Sequence, residues 1–364
     1  MPLAFAQSWL SAIQHKENSM TATIYDIAKK CHCSTTTVSK VLNNTGSIST
    51  QKTKEILKVA KELGYMRSHS ARSLASSNHS SNLIGIYLHI NEDQSITHEL
   101  FSKIINSFRI EVEKSGYDIC FIRNISEEEK YSYESLLMSR GIDGALILST
   151  QTKTNKLNEL VKSDIPLVTF DVIDSKYCIS SNNEQSVINM VDYLVSLGHE
   201  RICYVCPEKS GVSEDRKNGF IKGLKKNNIP FDERMIVNGP YFGKDSALIA
   251  TENALSSGIN PTVIMYPDDY TAISAIPILR KKGYHVPRDM SITGFDGVDI
   301  GAVMRPSLVT TVQNTAEIGK NAAKLLLKQI NNNEIEEKNI IIPTSLFEGE
   351  SVSRINKEDN SHES

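Results

Sequence analysis

No stretch of this 364-residue chain approaches the roughly 18 consecutive apolar residues that a membrane-spanning helix requires. The first residues, MPLAFAQSWLSAIQ, are mildly apolar but lack the basic start and unbroken apolar run of a secretion signal. A cytoplasmic location is expected. Cysteine is sparse, with six residues at Cys31, Cys33, Cys120, Cys178, Cys203 and Cys206. Neither Cys31-x-Cys33 nor Cys203-x2-Cys206 has a second pair at the spacing of a zinc knuckle. RICYVC reads as a buried strand in which a thiol is a small hydrophobe. Reduced thiols, no metal and no cofactor are therefore expected. The phosphate-loop, dinucleotide, metalloprotease and nucleophile-elbow patterns are absent too. Asp/Glu pairs are plentiful, but spacing singles out none, so no catalytic residue is assigned and an enzyme is not expected.

What the chain does have is length and a split in charge. It is too long for one ordinary core, so two or three domains are expected. Residues 20–80 carry nine lysines and arginines against three acids. Lys16 and Glu17 cancel before them, and the rest carries 30 basic against 39 acidic residues. A basic end on an acidic body suggests that one end meets a polyanion.

Residues 1–19 show no periodicity and read as a leader, with Met20 as an alternative natural start. Residues 20–66 read as three short helices. TIYDIAKK opens on a Thr23/Asp26 capping box, STTTVSKVLN on Ser34, and the third helix on Ser49, with Gly64 closing it. Ile24, Ile27, Ala28, Val38, Val41, Leu42, Ile48, Ile56, Val59, Ala60 and Leu63 recur at helical spacing, enough for one small core. Residues 67–81 are Ser-rich and read as a linker. From residue 83 short apolar runs (LIGIYL, DICFI, GALIL, PLVTF, RICYV, TVIMY, SITGF) alternate with amphipathic segments. That alternation implies parallel sheet covered on both faces. Residues 82–354 are too many for one sheet, so two doubly wound lobes are expected. The first spans about 82–197 and 311–339, the second about 198–306 and 340–354. A ligand would sit between them, at the carboxyl ends of the strands. Residues 355–364 read as a disordered tail.

Helix, tight turn and a second helix opening on small hydroxyl residues form a helix-turn-helix. The second helix would enter the major groove N-terminus first. Thr35 and Thr36 then stand on its leading turn, with Lys40 one turn along on the face of Thr36. The run TIYDIAKKCHCSTTTVSKVLNNTGSIS, followed by LGY and ARSLA, resembles the headpiece of LacI/GalR transcription regulators over about 55 residues. The resemblance implies that Thr35, Thr36 and Lys40 choose bases and that Tyr25 also reaches a base. It implies backbone contacts from Ser34, Ser39, Asn43 and Ser49. Residues 70–77 match a hinge helix that pushes Leu74 into the minor groove beside the small Ala71. Lys40 stands where the family usually has arginine, and His32 where it usually has glycine. Arg67-Ser68 replaces the usual Pro-Asn. Read one by one, Thr35 and Thr36 are also good helix caps, and Leu74 suits a core.

The resemblance continues through SLGHERI, GVSEDRKNGF, PTVIMYPDDYTA, VPRDMSITGFDGV and RPSLVTTV, which look like the family's effector domain, itself similar to periplasmic sugar-binding proteins. It implies that Arg216 and Asp296 hold an effector. Asp268, Tyr241, Phe101, Leu100 and Gln185 fall at or near other pocket positions. A sugar suits planar polar groups beside aromatic faces. By itself, Arg216 could instead pair with Glu214 or Asp215, and Asp296 could cap a turn. The expected function is a sequence-specific DNA-binding repressor controlled by a small-molecule effector, a sugar by these residues. It would act as a homodimer on pseudo-palindromic double-stranded DNA, with no membrane partner. A transport-type sugar-binding protein is the alternative, and an enzyme with a regulatory headpiece the third reading.

Overall fold

The computed structural model describes residues 23–42, 46–63, 65, 81–89, 96–149, 155–172, 175–207, 210–242 and 244–355. They fall into two compact units, Met1–Ser81 and Asn82–Ser364.

The first unit holds α1 (Ile24–Lys30), α2 (Thr35–Leu42) and α3 (Thr50–Glu62). Thr23 and Asp26 form the expected capping box, the Asp26 N–H donating to the Thr23 hydroxyl and the Thr23 N–H to the carboxylate. The Ser49 hydroxyl accepts from the Lys52 N–H and opens α3. Gly64 lies outside the described residues. The Tyr65 N–H reaches back to the Ala60 carbonyl at 2.9 Å, the outer bond of a Schellman ending. Ile27, Ala28, Val38, Val41, Ile56 and Ala60 meet in one core, and Cys31 joins them as a fully buried thiol. His32 turns the chain with φ 47°, and the Cys33 N–H returns to the Ala28 carbonyl. The Lys52 ammonium donates to the Cys31 carbonyl at 2.7 Å, a cation on the C-terminal end of α1.

The second unit is two doubly wound lobes. Its strands are β1 (Leu83–His89), β2 (Asp118–Ile122), β3 (Gly144–Ser149), β4 (Leu167–Phe170), β5 (Cys178–Ser181), β6 (Ile202–Cys206), β7 (Ile236–Asn238), β8 (Val263–Met265), β9 (Ser291–Asp296), β10 (Val309–Val312), β11 (Asn339–Ile342) and β12 (Ser345–Phe347). Its helices are α4 (Glu99–Glu113), α5 (Tyr133–Ser139), α6 (Asn155–Lys162), α7 (Asn183–Ser196), α8 (Gly211–Lys226), α9 (Lys244–Leu255), α10 (Asp269–Lys281), α11 (Asp299–Val303) and α12 (Thr315–Ile330). One sheet runs β11-β5-β4-β3-β1-β2, parallel throughout. The other runs β12-β10-β9-β8-β6-β7, parallel except for β12.

Each sheet buries both faces, which is why its strands are apolar without alternation. In the first lobe Ile84, Ile86, Leu146, Leu148 and Val168 face α4 and α12. Their neighbours Tyr87, Ala145, Ile147 and Leu167 face α5 and α6. In the second lobe Ile202, Tyr204, Val263 and Met265 face α7 and α8, while Cys203, Val205 and Ile264 face α9 and α10. Helices α4 and α12 approach so closely that a Cβ on Gly319 would lie 2.0 Å from the Ser107 hydroxyl and 2.5 Å from the Ile104 carbonyl.

The lobe boundaries differ from those read in the sequence. The chain crosses before α7, not near residue 197. The buried face of α7 (Val187, Met190, Val191, Leu194) packs on β6 and α8 of the second lobe. Strand β10, which includes residues 311 and 312, lies in the second sheet, and β11 pairs with β5 in the first, so the second segment of the first lobe ends near 342 rather than 339. The β11–β5 pairing spans more than a hundred residues, and which sheet α7 and β10 join is set by docking that local pattern does not encode. Ile355, read as the start of the tail, donates its N–H to the Leu197 carbonyl at 2.8 Å. The leader, residue 66 of the headpiece, residues 67–80 of the hinge and linker, and residues 356–364 lie outside the described residues.

Candidate nucleic-acid interface and interlobe cleft

In the first unit, Ser34 sits before α2 and its hydroxyl accepts from the Thr37 N–H at 3.1 Å. Thr36 and Lys40 are exposed one turn apart on α2; Thr35 and Ser39 are half-buried. The Lys40 stem passes 3.4 Å from the position a Cβ would take on Gly46, so its ammonium is carried clear of the core. Tyr25 projects from α1 with 73% of its surface exposed, and Ser49 is exposed at the head of α3. Asn43, Ala71 and Leu74 lie outside the described residues. The three acids among the described residues of this unit are engaged: Asp26 in its capping box, Glu55 with Lys52 at 2.9 Å, and Glu62 with Lys30 and Lys58. The first turn of α2 carries no acid, so the positive end of its dipole faces outward unopposed.

In the second unit a cavity opens between the lobes. It is lined by Leu100, Phe101, Phe170, Asp171, Ser210, Val212, Arg216, Tyr241, Phe242, Pro267, Asp268, Asp296 and Gln313. The space among them is about 550 Å³, counting the part open to solvent. Six sequence-predicted residues meet here: Arg216, Asp296, Asp268, Tyr241, Phe101 and Leu100. Gln185 does not. Its side chain is exposed on α7 and donates to Asn189 Oδ1 at 2.9 Å. Two positions along a helix turn a side chain by about 200°, and it is Asn183, not Gln185, that reaches Arg216.

Arg216 is buried on α8. Its Nε donates to Asn183 Oδ1 at 2.8 Å, its Nη1 to the Pro267 carbonyl at 3.0 Å, and its guanidinium lies 3.5 Å from the Phe295 ring centre. It does not take the surface pairing with Glu214 or Asp215 that its local sequence would allow. Asp296 has φ 127°, backbone that favours glycine, and its Oδ1 accepts from Gln313 Nε2 at 2.7 Å. Gln313 in turn accepts from the Ser181 hydroxyl. Asp268 caps α10, accepting from the Thr271 N–H and hydroxyl and from the Phe242 N–H. Behind it, Asp269 accepts from the N–H groups of Gly297 and Val298 at 2.7 and 2.8 Å and from the Thr310 hydroxyl. Asp171, half-buried with φ 58°, accepts from Asn183 Nδ2 at 3.3 Å.

Burial raises the pKa of every one of these carboxyls. It pushes Asp171 up to about 6 against the pull of Arg216, and Asp269 up to about 7 against its hydrogen bonds. Asp296 is held well above the carboxylate range by burial and then by Asp269. Burial also takes the Tyr241 phenol up to about 12. His98, which precedes α4, is buried against Phe101 of its own lobe and Phe242 and Tyr270 of the other, at 5.2, 4.5 and 4.9 Å between ring centres. Neither ring nitrogen has a hydrogen-bond partner, and burial lowers its pKa to about 4.

Sequence reasoning missed Phe170, Asp171, Ser210, Val212, Phe242, Pro267 and Gln313 of the lining, and Asn183, which holds Arg216. The available signal was position: Asp171, Pro267, Asp296 and Gln313 all stand at or just beyond the carboxyl end of a strand. Among the described residues no cluster of three metal-ligating side chains occurs, and no helix is long and apolar enough to cross a membrane.

Comparison with known proteins separates the same two parts. Residues 23–68 match the family of bacterial regulatory proteins of the lacI type, and residues 191–352 match a periplasmic binding protein-like domain. The chain is 30% identical over 347 residues to the transcriptional repressor PurR of Mannheimia succiniciproducens, covering 92% of this chain and 99% of that one. It is 27% identical over 334 residues to catabolite control protein A of Priestia megaterium, covering 89% and 97%. Among solved structures, the lac repressor dimer bound to operator and the anti-inducer ONPF aligns with TM-score 0.76 at 23% identity, covering 91% and 99%. A regulator of the same family from Enterococcus faecium with bound ribose aligns with TM-score 0.64 at 26% identity, covering 75% and 100%.

Proposed function

The chain belongs to the LacI family of bacterial regulatory proteins, and from that premise we propose a sequence-specific transcription repressor whose operator affinity is set by a small molecule, a sugar, held between the two lobes. The observation that carries this reading is the presence in one chain of an exposed Thr36/Lys40 face on a helix-turn-helix and a polar, aromatic-walled interlobe cavity. Thr35, Thr36, Lys40 and Tyr25 are the base-reading residues, and Ser34, Ser39, Asn43 and Ser49 hold phosphate. Leu74, with Ala71, wedges the operator centre. Two such headpieces, from a homodimer, read half-sites about one DNA turn apart. Arg216 and Asp296 anchor the effector, and Phe101, Leu100 and Tyr241 wall it. Lys103 and Glu99 of the first lobe meet Asp299 of the second at 2.7 and 2.8 Å, so a change in lobe angle must break or remake these contacts. The effector acts through its different affinity for the two lobe arrangements.

The transport-type reading leaves residues 23–68 without a role. The relatives are named as a repressor and a control protein, which supports a regulator rather than an enzyme. A regulator of DNA works in the cytoplasm. The test is selection of DNA sequences by the full chain from a pseudo-palindromic library at physiological salt, followed by titration with and without sugars. Enrichment of one site, with affinity altered by a sugar, is the expected result. Binding that does not distinguish sequences overturns the reading, and product formation from a sugar overturns its non-enzymatic part.

A further inference from the structure

The interlobe cavity is unevenly charged. Three carboxylates line it, Asp171, Asp268 and Asp296, and among its described lining residues Arg216 is the one cation. All three lie within coulombic reach of that guanidinium, and the buried Asp269 adds a fourth acid behind Asp296. Two of the three Arg216 nitrogens already donate within the protein, to Asn183 and the Pro267 carbonyl, and its face rests on Phe295. Three of its five N–H groups have no partner in these two bonds, but an anion that reached them would also face the three acids at short range. The acids differ in what they can still accept. The hydrogen bonds to Asp268 occupy both of its oxygens. Asp171 and Asp296 each accept one side-chain bond, through Oδ1, and Asp171 has a backbone partner at Ser181 as well, so both are less fully engaged by side chains than Asp268. Around them stand the rings of Phe101, Phe170, Tyr241 and Phe242. Aromatic faces beside acids are a favourable setting for an ammonium group, because ring quadrupole and carboxylate attract the same charge and a bound cation draws Asp171 and Asp296, whose pKa burial raises, into their ionised forms.

We infer that the effector carries a protonated amine on a small hydroxylated frame, held by Asp171 and Asp296, and that the cleft rejects phosphorylated and carboxylated relatives of the same frame. The inference rests on the effector-controlled reading given above and narrows its ligand class.

The test titrates the full chain at pH 7 by calorimetry with matched sets: glucosamine, glucose and glucose 6-phosphate, then the galactose counterparts. Binding to the selected DNA site is read on the same samples. The expected result is that in at least one set the amine binds about tenfold or more tightly than the parent sugar, with no binding of the phosphate. Asp171→Asn and Asp296→Asn, each keeping one acceptor oxygen, should each erase most of that preference. Using both protects the test against a variant that fails to fold. An amine with no advantage in either set, a phosphate that binds more tightly than its parent sugar, or no binding of either amine overturns the inference. In those cases sequence-selective DNA binding still stands or falls separately, so failure of the ligand class is distinguished from failure of the repressor reading.

Discussion

Replacing Asp269 by asparagine should make the effector unit more stable, and by more as pH rises from acidic to neutral. Asp269 is fully buried, and burial lifts its pKa from an ordinary 3.8 to about 7. A carboxyl whose pKa is higher folded than unfolded holds its proton longer in the native state. The cost of ionising it is therefore absent below 3.8, accumulates between 3.8 and about 7, and is complete above that. At about 1.4 kcal/mol for each tenfold, the full cost is on the order of 4 kcal/mol. The hydrogen bonds suit the amide. Gly297 and Val298 both donate to Oδ2, which remains an oxygen, and the Thr310 hydroxyl at Oδ1 can accept from Nδ2 while donating to the Thr311 carbonyl. The assay is urea unfolding of parent and Asp269→Asn at pH 5, 6, 7 and 8. The difference between them isolates Asp269 from His98, whose lowered pKa gives stability that rises with pH between about 4 and 6.5. The variant's advantage should be about 1–2 kcal/mol at pH 5 and grow to on the order of 4 kcal/mol by pH 8. A difference that stays flat across this range would refute the reasoning, because it would mean that the three donors, not burial, govern the group.

Three further outcomes follow from the packing and the backbone. Gly319→Ala places a methyl group into the Ser107 hydroxyl and the Ile104 carbonyl, so the melting temperature should drop by an amount equivalent to about 1–3 kcal/mol; an unchanged melt means the two helices separate at no cost. His98→Phe removes two unpartnered ring nitrogens from an aromatic pocket and should stabilise the effector unit by about 1–2 kcal/mol, most clearly near pH 5, where the parent histidine resists protonation; destabilisation measured at every pH argues against an apolar setting. His32→Gly relieves a positive φ and should add about 0.5–1 kcal/mol to the headpiece, read as slower hydrogen exchange of the amides of α1; faster exchange refutes strain at this turn.

Much of this molecule was legible in one dimension. The three headpiece helices begin on the caps that Thr23, Ser34 and Ser49 announce, because capping is settled within four residues. The seven apolar runs all form strands of two parallel sheets, because burial on both faces leaves a continuous apolar signature. RICYVC reads as a buried strand whose thiols are small hydrophobes, and Cys203 lies in the core. Strands β5, β7, β10, β11 and β12 went unread, being three or four residues long and in part polar, with no pattern to separate them from loop.

What tertiary structure alone decided is which lobe a segment joins and which side chains share a space. Helix α7 belongs to the second lobe because its apolar face packs on β6 and α8, and β11 to the first because its hydrogen bonds go to β5. Asn183, not Gln185, turns toward Arg216, since helix phase is fixed only once the helix is docked. The surplus of carboxylates around a single guanidinium is a property of neither residue type nor spacing. It exists because strands from two lobes end at one cleft, bringing Asp171 and Asp296 within the field of Arg216 from positions far apart in the chain.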